Sequence, residues 1–519
     1  MRTALSVSLT TALLCVAAAS HAQTLATGAP SDTFSFSTYA TGLGQLTDFR
    51  FLPDGRVVLI SRTGEVRVRL TDGTLVNADT FPVSSDVHGE QGLLGVEVDP
   101  SFATNRRIFF YYSRANSAGG TDLNRHRVVS ITLGTDSKLV MSTEDIMVQD
   151  LRGPANHDGG ALALSKDGTK LYVGVGDTGC NKSPDPPNPP GNYFPTCLTN
   201  GNGKILRINL DKSIPSDNPL SSETAVTACG SSCGAAPSGT AAPRKDIWAW
   251  GFRNPFRIWT DPVTGHLWVG DVGEGSWEEI DVLTGGGKHH GWPWREGAHG
   301  WPATKCTETV PNKGNCVDPV HEQAHASGSV GSITGGAIMD FCSWPTTFRG
   351  LYFFGDNATG KLWTVQPNTA RDGVVSGSQK DFGSAPSPVS IRPGPDGAMY
   401  IASLGGRLYR FAPKAPVTCD TDAGVPDTGV TDTGTPADGG TTDAATSDTG
   451  TAPGDASTGS DTGVTVDSGS SGGDDAGAPG EGTSEDGGCG CSTPGGTTSA
   501  GLSALALAGV ALAITRRRR

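Results

Sequence analysis

Between about Thr33 and Ala412 the chain alternates short apolar runs with tight polar turns, and it contains almost no long stretch with apolar residues at helical spacing. Apolar and aromatic residues that alternate or cluster over a few positions are typical of β-strands. One arrangement recurs six times: a turn built from Pro, Asp and Gly stands directly before such a strand. These turns begin at Pro53, Asp99, Lys166, Asp261, Phe348 and Pro395.

The regular recurrence of this turn and strand predicts a repeat architecture. Six copies in about 380 residues give roughly 63 residues per unit, which fits four-stranded blades with long connecting loops. We therefore predict an all-β fold, a six-bladed β-propeller over residues 33–412 in which loops from distant sequence positions meet around a central channel. A pair of β-sandwiches is the competing fold, and the regular spacing argues against it.

The N-terminal end of the chain predicts export. An apolar run from Leu5 to Ala19 follows a charged start and precedes a small-residue sequence that ends at Ala22. This pattern is typical of a secretory signal peptide, here residues 1–22, which is removed from the mature protein. We therefore expect an exported protein that is displayed at the cell surface or outer envelope, or released from it.

The C-terminal part of the chain predicts a stalk and a sorting signal. Residues 413–488 consist almost entirely of Thr, Asp, Gly, Ser, Ala and Pro, so we expect a disordered acidic stalk. Residues 489–519 contain a Cys-Gly-Cys motif, an apolar run that is short for a membrane span, and four terminal arginines. This segment resembles the C-terminal sorting tags of myxobacterial surface proteins, and an ordinary C-terminal anchor is the alternative. Membrane association is expected only through it.

The negative charge of the chain is concentrated in the stalk. The formal net charge is −14, and residues 415–488 contain fifteen acidic residues but no Lys or Arg. The mature folded region carries only about −4, so it offers no basic face for nucleic acid.

Eight cysteines lie between the two ends of the chain, and in an exported protein disulfide bonds are the expected state. Three near pairs would each close a short loop: Cys180 with Cys197, Cys229 with Cys233, and Cys306 with Cys316. That pairing would leave Cys342 and Cys419, although spacing alone fixes no connectivity. Metal binding by these thiols is not expected, because no Cys-x-x-Cys motif occurs.

A polar loop around His157 is the first candidate for catalytic chemistry. The stretch Asn156–Gly160 precedes a strand, a tight Asp-Gly turn and a second strand that leads to Asp177. An imidazole held between polar neighbours on such a mount is a candidate general base, and the two glycines would let backbone approach a ligand closely. A loop histidine that caps local turns is the alternative from these residues alone.

Three further loops are rich in polar residues and glycine. They begin at Glu90, Trp250 and Leu267, and the second places Arg253 beside Asn254, a pair that could donate several hydrogen bonds to a planar polar ligand. The third interleaves carboxylates with glycine carbonyls, a combination that suits Ca²⁺. A solvated loop is the alternative interpretation of that stretch.

Residues 321–325 spell His-Glu-Gln-Ala-His, which matches the zinc-protease pattern H-E-x-x-H. That site needs both histidines on one helical face and a third ligand. The segment allows barely two helical turns before Gly- and Ser-rich sequence begins, so a zinc site is not favoured.

Five sequence motifs in one order give the chain a family resemblance. They are Glu-Gln-Gly-Leu-Leu-Gly from Glu90, Asn-His-x-Gly-Gly from Asn156, Gly-Lys-Ile-Leu-Arg-Ile from Gly203, Trp-Gly-Phe-Arg-Asn-Pro from Trp250 and Leu-Trp-Val-Gly-Asp-Val-Gly from Leu267. From about Leu43 to Phe411 the chain resembles the glucose/sorbosone dehydrogenase family, six-bladed propellers that use pyrroloquinoline quinone (PQQ) and calcium. It is most similar to the branch that also holds hedgehog-interacting-type propellers with no demonstrated redox role.

The resemblance implies oxidation of an aldose or related sugar at C1, with hydride transfer to PQQ and an external electron acceptor. His157 matches the family's general base, and Arg253 would stabilise negative charge on the quinone. The matching cofactor-binding residues are Glu90, Asn156, Arg253 and Asn254. The matching calcium ligands are the backbones of Gly273 and Glu274 for a cofactor-bound ion, and Glu279 with the carbonyl of His290 for a second, structural ion.

The chain departs from glucose-oxidising members where they use a lysine and two arginines to hold the three PQQ carboxylates. The corresponding regions here are Gly335–Met339 and Ser387–Arg392, in which only Arg392 is basic, and Val272 replaces a glutamine. Charge-assisted contacts of this kind are worth roughly 1.5–3 kcal/mol each. The alternative function is therefore a non-catalytic, calcium-stabilised surface propeller that binds glycans or protein partners.

Overall fold

The computed structural model describes residues 24–26, 28–83, 89–115, 124–153, 156–179, 191–300, 316–325 and 331–419. The predicted signal peptide, the stalk from residue 420 onwards and the sorting segment lie outside these residues, so all three stay predictions. Within the described part of the chain, no helix is long and apolar enough to cross a membrane.

Strands make up almost all of the regular structure, and they follow one another blade by blade. Before the first blade come β1 (Thr24–Leu25), α1 (Ala29–Thr33) and β2 (Phe34–Thr41). Blade 1 contains β3 (Leu46–Phe51), β4 (Val57–Ser61), β5 (Glu65–Arg69) and β6 (Leu75–Thr80). Blade 2 contains β7 (Leu93–Val98), α2 (Phe102–Asn105), β8 (Arg107–Ser113), β9 (His126–Leu133) and β10 (Leu139–Leu151).

The next two blades carry inserted hairpins. Blade 3 contains β11 (Leu162–Leu164), β12 (Lys170–Val175), β13 (Lys204–Asn209), the hairpin β14 (Val226–Thr227) and β15 (Thr240–Ala241), and β16 (Ile247–Trp250). Blade 4 contains β17 (Pro255–Thr260), β18 (Leu267–Asp271), β19 (Trp277–Leu283), the hairpin β20 (Arg295–Glu296) and β21 (His299–Gly300), and β22 (His321–Ala324).

The last two blades recruit strands from the start of the chain. Blade 5 contains β23 (Ile333–Met339), β24 (Leu351–Asp356), β25 (Lys361–Val365) and β26 (Lys380–Ser384), with β1 as a fifth strand. Blade 6 contains β27 (Pro388–Pro393), β28 (Met399–Ser403) and β29 (Arg407–Pro413), and β2 completes it.

Each of the six turns found in the sequence joins the first and second strands of a blade, so the predicted six-bladed β-propeller is confirmed. The first strands of successive blades contact one another around the ring and line its central channel. The second strands β4, β18 and β28 lie inside their sheets with all of their residues buried. Burial on both faces explains why these strands read as apolar runs with little alternation.

The ring is closed by strands from opposite ends of the domain. β2 pairs antiparallel with β29. Phe34 at the start of β2 is buried, and its ring centroid lies 4.8 Å from that of Trp344 and 5.0 Å from that of Phe348. Such edge-to-face contacts add about 0.5–1.5 kcal/mol each to the burial of the rings. The seam of the propeller is therefore held by a sheet and by an aromatic cluster.

Disulfide bonds are present as expected, but two of the three predicted near pairs are wrong. Cys197 bonds to Cys229, with their Cα atoms 5.6 Å apart, which excludes the pairs Cys180 with Cys197 and Cys229 with Cys233. The insertion of blade 3 folds back on itself and brings together cysteines 32 residues apart, which short sequence spacing does not reveal. In the third predicted pair, Cys306 lies outside the described residues.

The two cysteines left over by the predicted pairing, Cys342 and Cys419, are bonded to each other. Beyond β29 the chain therefore continues along the propeller as far as Cys419, inside the segment for which the sequence predicts the stalk. The backbone N–H of Val417 donates to the carbonyl of Ser343 along the same path.

A cluster of charged side chains lies between the first strands of blades 6, 1 and 2. Arg50 pairs with Asp48 at 2.9 Å and with Glu97 at 3.0 Å, and Arg392 approaches Asp48 at 3.3 Å. Burial opposes the ionisation of Asp48, but Arg50, Arg392 and Arg257 outweigh it and hold the pKa of this carboxyl well below its usual range. Asp48 therefore stays charged and links the three blades.

Replacing Asp48 with Asn should destabilise the propeller by about 3–5 kcal/mol at neutral pH, because buried arginines lose their counter-charge. A carboxylate with a depressed folded pKa stabilises fully above its unfolded pKa, near 4, and this contribution is lost as the pH falls below that value. The difference in the free energy of unfolding between variant and wild type should therefore become smaller below about pH 4. Urea unfolding at several pH values measures this difference.

The matched control is Asp145→Asn, which removes an exposed ion pair with Lys212. It should cost less than about 1 kcal/mol. Equal losses of stability in the two variants would contradict the role given to the channel cluster.

Candidate active site

His157 lies in the loop between β10 and β11, and its imidazole contacts Asp177 just beyond β12. Nδ1 of His157 lies 2.6 Å from Oδ1 of Asp177, because the β11–β12 hairpin brings its two flanking residues together. The His157 backbone has a φ of 55°, a left-handed conformation that is uncommon for a residue with a side chain. The His157 side chain is 16% exposed and Asp177 is buried, so a ligand can reach the imidazole. The preceding residue, Asn156, is exposed.

Several donors fix Asp177 as an ionised carboxylate. Besides His157, Nε1 of Trp292 donates to it at 2.7 Å and the N–H of Gly179 at 2.8 Å. Burial raises the pKa of Asp177, but His157, Arg253 and the Gly179 N–H together bring it below its ordinary value. Because an ionised carboxylate only accepts hydrogen bonds, Nδ1 of His157 carries a proton and Nε2 is left as the acceptor.

The glycines after His157 allow neighbouring segments to lie close together. A Cβ atom at Gly159 would lie 2.6 Å from the carbonyl oxygen of Gly174 in β12. A Cβ atom at Gly160 would lie 2.5 Å from Cβ of Leu94 in β7. Both glycines also have positive φ. They let the His157 loop lie close to β12 and to the neighbouring blade.

Glu90 joins two of the loops singled out in the sequence. Its Oε2 accepts hydrogen bonds from the N–H of His157 at 3.0 Å and from Nδ2 of Asn254 at 3.2 Å. Oδ1 of Asn254 in turn accepts the N–H of Gly159 at 3.0 Å. Burial and the nearby charge of Asp158 raise the pKa of Glu90. The structure thus brings Glu90, His157 and Asn254 into one hydrogen-bonded group.

Arg253 is held beside this group through its backbone and one end of its guanidinium. Its N–H donates to Oδ2 of Asp271 at 2.9 Å, and its Nη1 donates to the carbonyl of Val272 at 3.0 Å. The guanidinium carbon lies 5.6 Å from the ring centre of Trp292, the indole that also donates to Asp177. Nε of Arg253 is buried and has no hydrogen-bond partner among the described residues. This donor is available to a ligand.

The loop that contains Gly273 and Glu274 is held by side-chain carboxylates. Oε1 of Glu296 accepts hydrogen bonds from four successive N–H groups, Glu274 to Trp277, at 2.7, 2.8, 2.9 and 3.1 Å. Oε2 of Glu278 accepts the N–H of Gly273 at 3.2 Å. With these N–H groups satisfied, the loop carbonyls are the groups that could bind a cation. Sequence reasoning missed Glu296, because only the β20–β21 hairpin places it under this loop.

Three buried carboxylates meet at the end of β18 and in β19. Oxygen atoms of Asp271, Glu279 and Asp281 lie within 4.8 Å of one another. Burial, followed by repulsion from Asp281, raises the pKa of Asp271, and burial with both aspartates raises the pKa of Glu279. Oδ1 of Asp281 lies 3.1 Å from Nδ1 of His290, whereas its Oδ2 has no partner within the described ranges. Buried carboxylates with so little counter-charge fit Ca²⁺, which prefers oxygen ligands.

The sequence interpretation assigned Glu279 and the carbonyl of His290 to this ion but did not assign Asp271 or Asp281. The pairing of β18 with β19 places Asp271 opposite Glu279. Glu279 and Asp281 are two residues apart on one strand and so share a face. That alternation of acidic residues along a predicted strand is a signal that could have found the whole cluster.

The first four residues of the H-E-x-x-H sequence form strand β22, and His325 follows it, so the segment lacks the helical geometry that a zinc-protease site needs. Successive residues of a strand alternate between its two faces, so Glu322 points to the opposite face from His321. Nε2 of His325 lies 2.7 Å from Oε1 of Glu278, and Glu322 pairs with His299 at 3.0 Å. These contacts engage the segment in the structure of blade 4.

A cavity of about 120 Å³ lies in the central channel beside Glu90 and Asn254. Its walls include Val389, which falls in the region where glucose-oxidising members of the resembled family carry two arginines. The wall is apolar at that point. Two other arginines, Arg62 and Arg257, line the cavity instead, and the sequence interpretation gave neither of them a role.

The propeller is similar in sequence and fold to several known proteins. An uncharacterized protein of Synechocystis sp., slr1608, is 28% identical over 295 residues, which are 54% of this chain and 64% of that protein. The chain thus spans just under two thirds of its length. Aldose sugar dehydrogenase YliI of Escherichia coli K12 is 26% identical over 389 residues, 70% of this chain and 89% of that protein.

The fold is shared with a solved structure of the PQQ-bound form of an aldose sugar dehydrogenase from Streptomyces coelicolor. The TM-score is 0.53 at 19% identity, over 73% of this chain and 98% of that chain. At this identity the likeness concerns the fold alone.

A family model extends the similarity to the whole propeller. The model described as Glucose / Sorbosone dehydrogenase matches residues 43–410, from just before β3 into β29. The match confirms the resemblance found in the five sequence motifs, and the chain belongs to the glucose/sorbosone dehydrogenase family.

Proposed function

We propose that this protein oxidises an aldose or a related sugar at C1 with the help of PQQ and Ca²⁺. The observation that carries the proposal is an accessible imidazole, His157, whose Nδ1 lies 2.6 Å from the buried carboxylate of Asp177. Family membership and the similarity to the E. coli aldose sugar dehydrogenase support the reaction class. PQQ is the cofactor that the resemblance in the five sequence motifs implies, and the family match over residues 43–410 supports that part of the proposal.

The residues of the chain can manage the proton and the charge of this reaction. When bound, the quinone supplies the acceptor for the hydride that leaves C1. Nε2 of His157 accepts the proton of the C1 hydroxyl, so that the sugar loses one hydride and one proton. Asp177 keeps Nδ1 protonated and stabilises the imidazolium that results. Arg253 places positive charge where negative charge develops, and Glu90, Asn156 and Asn254 complete the proposed cofactor contacts.

Two groups of oxygen atoms fit the proposed calcium ions. Asp271, Glu279 and Asp281, with the carbonyl of His290, would hold a structural ion, whose charge relieves the repulsion between buried carboxylates. The carbonyls of Gly273 and Glu274 would hold the ion next to the cofactor. A bound Ca²⁺ supplies Lewis acidity at that position.

The alternative, a non-catalytic surface propeller that binds glycans or protein partners, is not favoured. A histidine kept for packing alone would be expected to bury its ring, whereas the His157 side chain is 16% exposed and faces no described partner at Nε2. The geometry around it is that of a base with an orienting carboxylate.

The proposal is tested by reconstituting the purified protein with PQQ and Ca²⁺ and following the reduction of an artificial dye with a panel of aldoses. We expect sugar-dependent reduction that requires both PQQ and Ca²⁺. If no aldose supports turnover above the rate without protein, the proposed function is wrong.

Replacing Asp177 with Asn should lower turnover by up to about 10⁴-fold, because the carboxylate that keeps the imidazole of His157 in the correct tautomer is lost. Steady-state kinetics with the dye measure this loss. Asp167→Asn, an exposed change in the turn of the same hairpin, should leave turnover unchanged. Equal rates for Asp177→Asn and wild type would contradict the role of the carboxylate.

Export and surface display are part of the proposal. The disulfides Cys197–Cys229 and Cys342–Cys419 support export, because such bonds persist in oxidising compartments. Fractionation of cells that produce the full chain should recover it at the surface or outside. Recovery in the cytoplasm with reduced cysteines would contradict export.

A further inference from the structure

The cavity in the central channel is lined by two arginines that the proposed reaction does not use. Arg62 and Arg257 both reach its wall, together with Glu90 and Asn254. Neither arginine forms an ion pair with a carboxylate within the described residues. This sets them apart from Arg50 and the other arginines of the channel cluster.

Arg257 is a buried cation with a free donor. It is 4% exposed, and its Nη1 and Nη2 donate to the carbonyls of Phe256 at 2.7 Å and Thr47 at 2.6 Å. Its Nε is buried and has no partner in the described part of the chain. Burial lowers the pKa of Arg257 to about 10; the charge of Asp48 opposes this shift and the charges of Arg392 and Arg50 add to it. The side chain is therefore still charged at neutral pH.

Arg62 contributes a second positive charge at the edge of the same cavity. Its Nε donates to Oε1 of Gln45 at 2.7 Å, and its Nη1 donates to the carbonyl of Gly89. Both acceptors are neutral, and the side chain is only partly buried. Its charge is therefore open to an incoming anion.

The acidic group on the cavity wall does not cancel these charges. Oε2 of Glu90 is engaged by the N–H of His157 and by Nδ2 of Asn254. Burial and Asp158 raise the pKa of Glu90, and a single carboxylate on this wall still leaves the two arginines in excess. The deeper carboxylate of Asp48 pairs with Arg50 and Arg392, and its charge also acts on Arg257 without forming an ion pair with it. The cavity wall thus carries an excess of positive charge.

We propose that Arg62 and Arg257 form a carboxylate-binding site in the central cavity. Guanidinium groups bind carboxylates through paired, charge-assisted hydrogen bonds. Nε of Arg257 is a donor that has no other partner among the described residues. The carboxylate belongs either to an acidic sugar substrate or to PQQ. For PQQ, the two arginines would replace the basic side chains that this chain lacks in register within Ser387–Arg392 and along Gly335–Met339. The identity of the ligand rests on the proposed function, whereas the site itself rests on the two arginines.

The first arm of the test measures ligand binding to the protein freed of cofactor, with Ca²⁺ present. Isothermal titration compares PQQ with its trimethyl ester, which has the same ring system but no carboxylates. Wild type should bind PQQ more tightly than the ester. Arg62→Gln should lower the affinity for PQQ by about 10- to 100-fold and leave the affinity for the ester unchanged. Such a result assigns the carboxylate to the cofactor.

The second arm uses sugars in place of the cofactor. Glucuronate is compared with glucose in the same titration. If Arg62→Gln lowers the affinity for glucuronate by about tenfold or more and leaves the affinity for glucose unchanged, the carboxylate belongs to the substrate.

Arg257→Lys guards against an effect of misfolding, because it keeps the buried charge while it removes the forked donor geometry. It should lower the affinity for the same charged ligand, PQQ or glucuronate, that Arg62→Gln affects. Its circular dichroism spectrum should match that of wild type. Arg410→Gln, which removes a partly exposed ion pair with Asp396, should have no effect on any ligand.

The proposal is overturned if wild type binds neither charged ligand, or if both cavity variants bind them as wild type does. These outcomes are separate from failure of the proposed function. If the protein binds PQQ through Arg62 but oxidises no aldose, the carboxylate site is supported and the proposed enzymatic function is wrong. If the protein oxidises aldoses but its affinity for PQQ does not depend on either arginine, the proposed function is supported and the carboxylate site for PQQ is wrong.

Discussion

Replacing His157 with Ala should reduce the PQQ-dependent turnover of aldoses by about 10²- to 10⁴-fold, the usual contribution of a positioned general base. Without the imidazole, no group at the position of Nε2 accepts the proton of the C1 hydroxyl. Steady-state dye reduction measures the loss. Titration with PQQ should show nearly wild-type affinity, because the change removes a proton acceptor and leaves Arg253, Asn254 and Glu90 in place.

His266→Ala is the matched control for this variant. His266 lies in the turn between β17 and β18, where its Nδ1 contacts the carbonyl of Arg371 at 3.0 Å. The control should retain full turnover. If folded His157→Ala protein works within about threefold of wild type, the assignment of the base is wrong.

Removing calcium should lower the unfolding temperature of wild type by several degrees. An ion present at a hundredfold above its dissociation constant stabilises the folded state by about 2.7 kcal/mol. The reason is specific to this cluster: without the ion, Asp271, Glu279 and Asp281 are buried together and repel one another. Thermal unfolding with and without a chelator, followed by metal analysis, measures the effect.

Asp281→Asn should reverse the order of stability. The variant should be less stable than wild type in calcium, because the ion loses a ligand, and more stable than wild type in chelator, because one buried charge is gone. Asp356→Asn is the control. Asp356 is buried but accepts hydrogen bonds from the N–H groups of Gly331, Ser332 and Thr359, so its loss should lower stability equally in both conditions. An unfolding temperature of wild type that does not change when the metal is removed would contradict the calcium site.

The fold could be predicted from the sequence because its repeating unit is local. A turn followed by a strand buried on both faces leaves a readable pattern, as at Pro53 before β4 and at Pro395 before β28. The disulfide between Cys197 and Cys229 could not be predicted in the same way, because it depends on how the insertion of blade 3 folds back. Two cysteines that are far apart in sequence can be close in space when the insertion between them folds back, so sequence spacing alone does not identify the pair.

The candidate site was predictable only where motifs marked it. His157, Arg253 and Asn254 were found through family motifs, whereas Asp177 was visible only as the polar residue after a strand. Its role follows from the hairpin geometry, which places the residues before β11 and after β12 side by side. The arginines of the cavity left no such signal, because their meeting depends on the closure of the ring.

Anaerobic single turnover of the PQQ-loaded protein tests the central claim most directly, because it needs no assumption about the electron acceptor. One equivalent of a suitable aldose should convert the absorption spectrum of the bound quinone to that of its reduced form and release one equivalent of the sugar oxidised at C1. The same addition to His157→Ala protein should leave the spectrum almost unchanged on that timescale. A bound quinone that no aldose reduces in wild type would contradict the account.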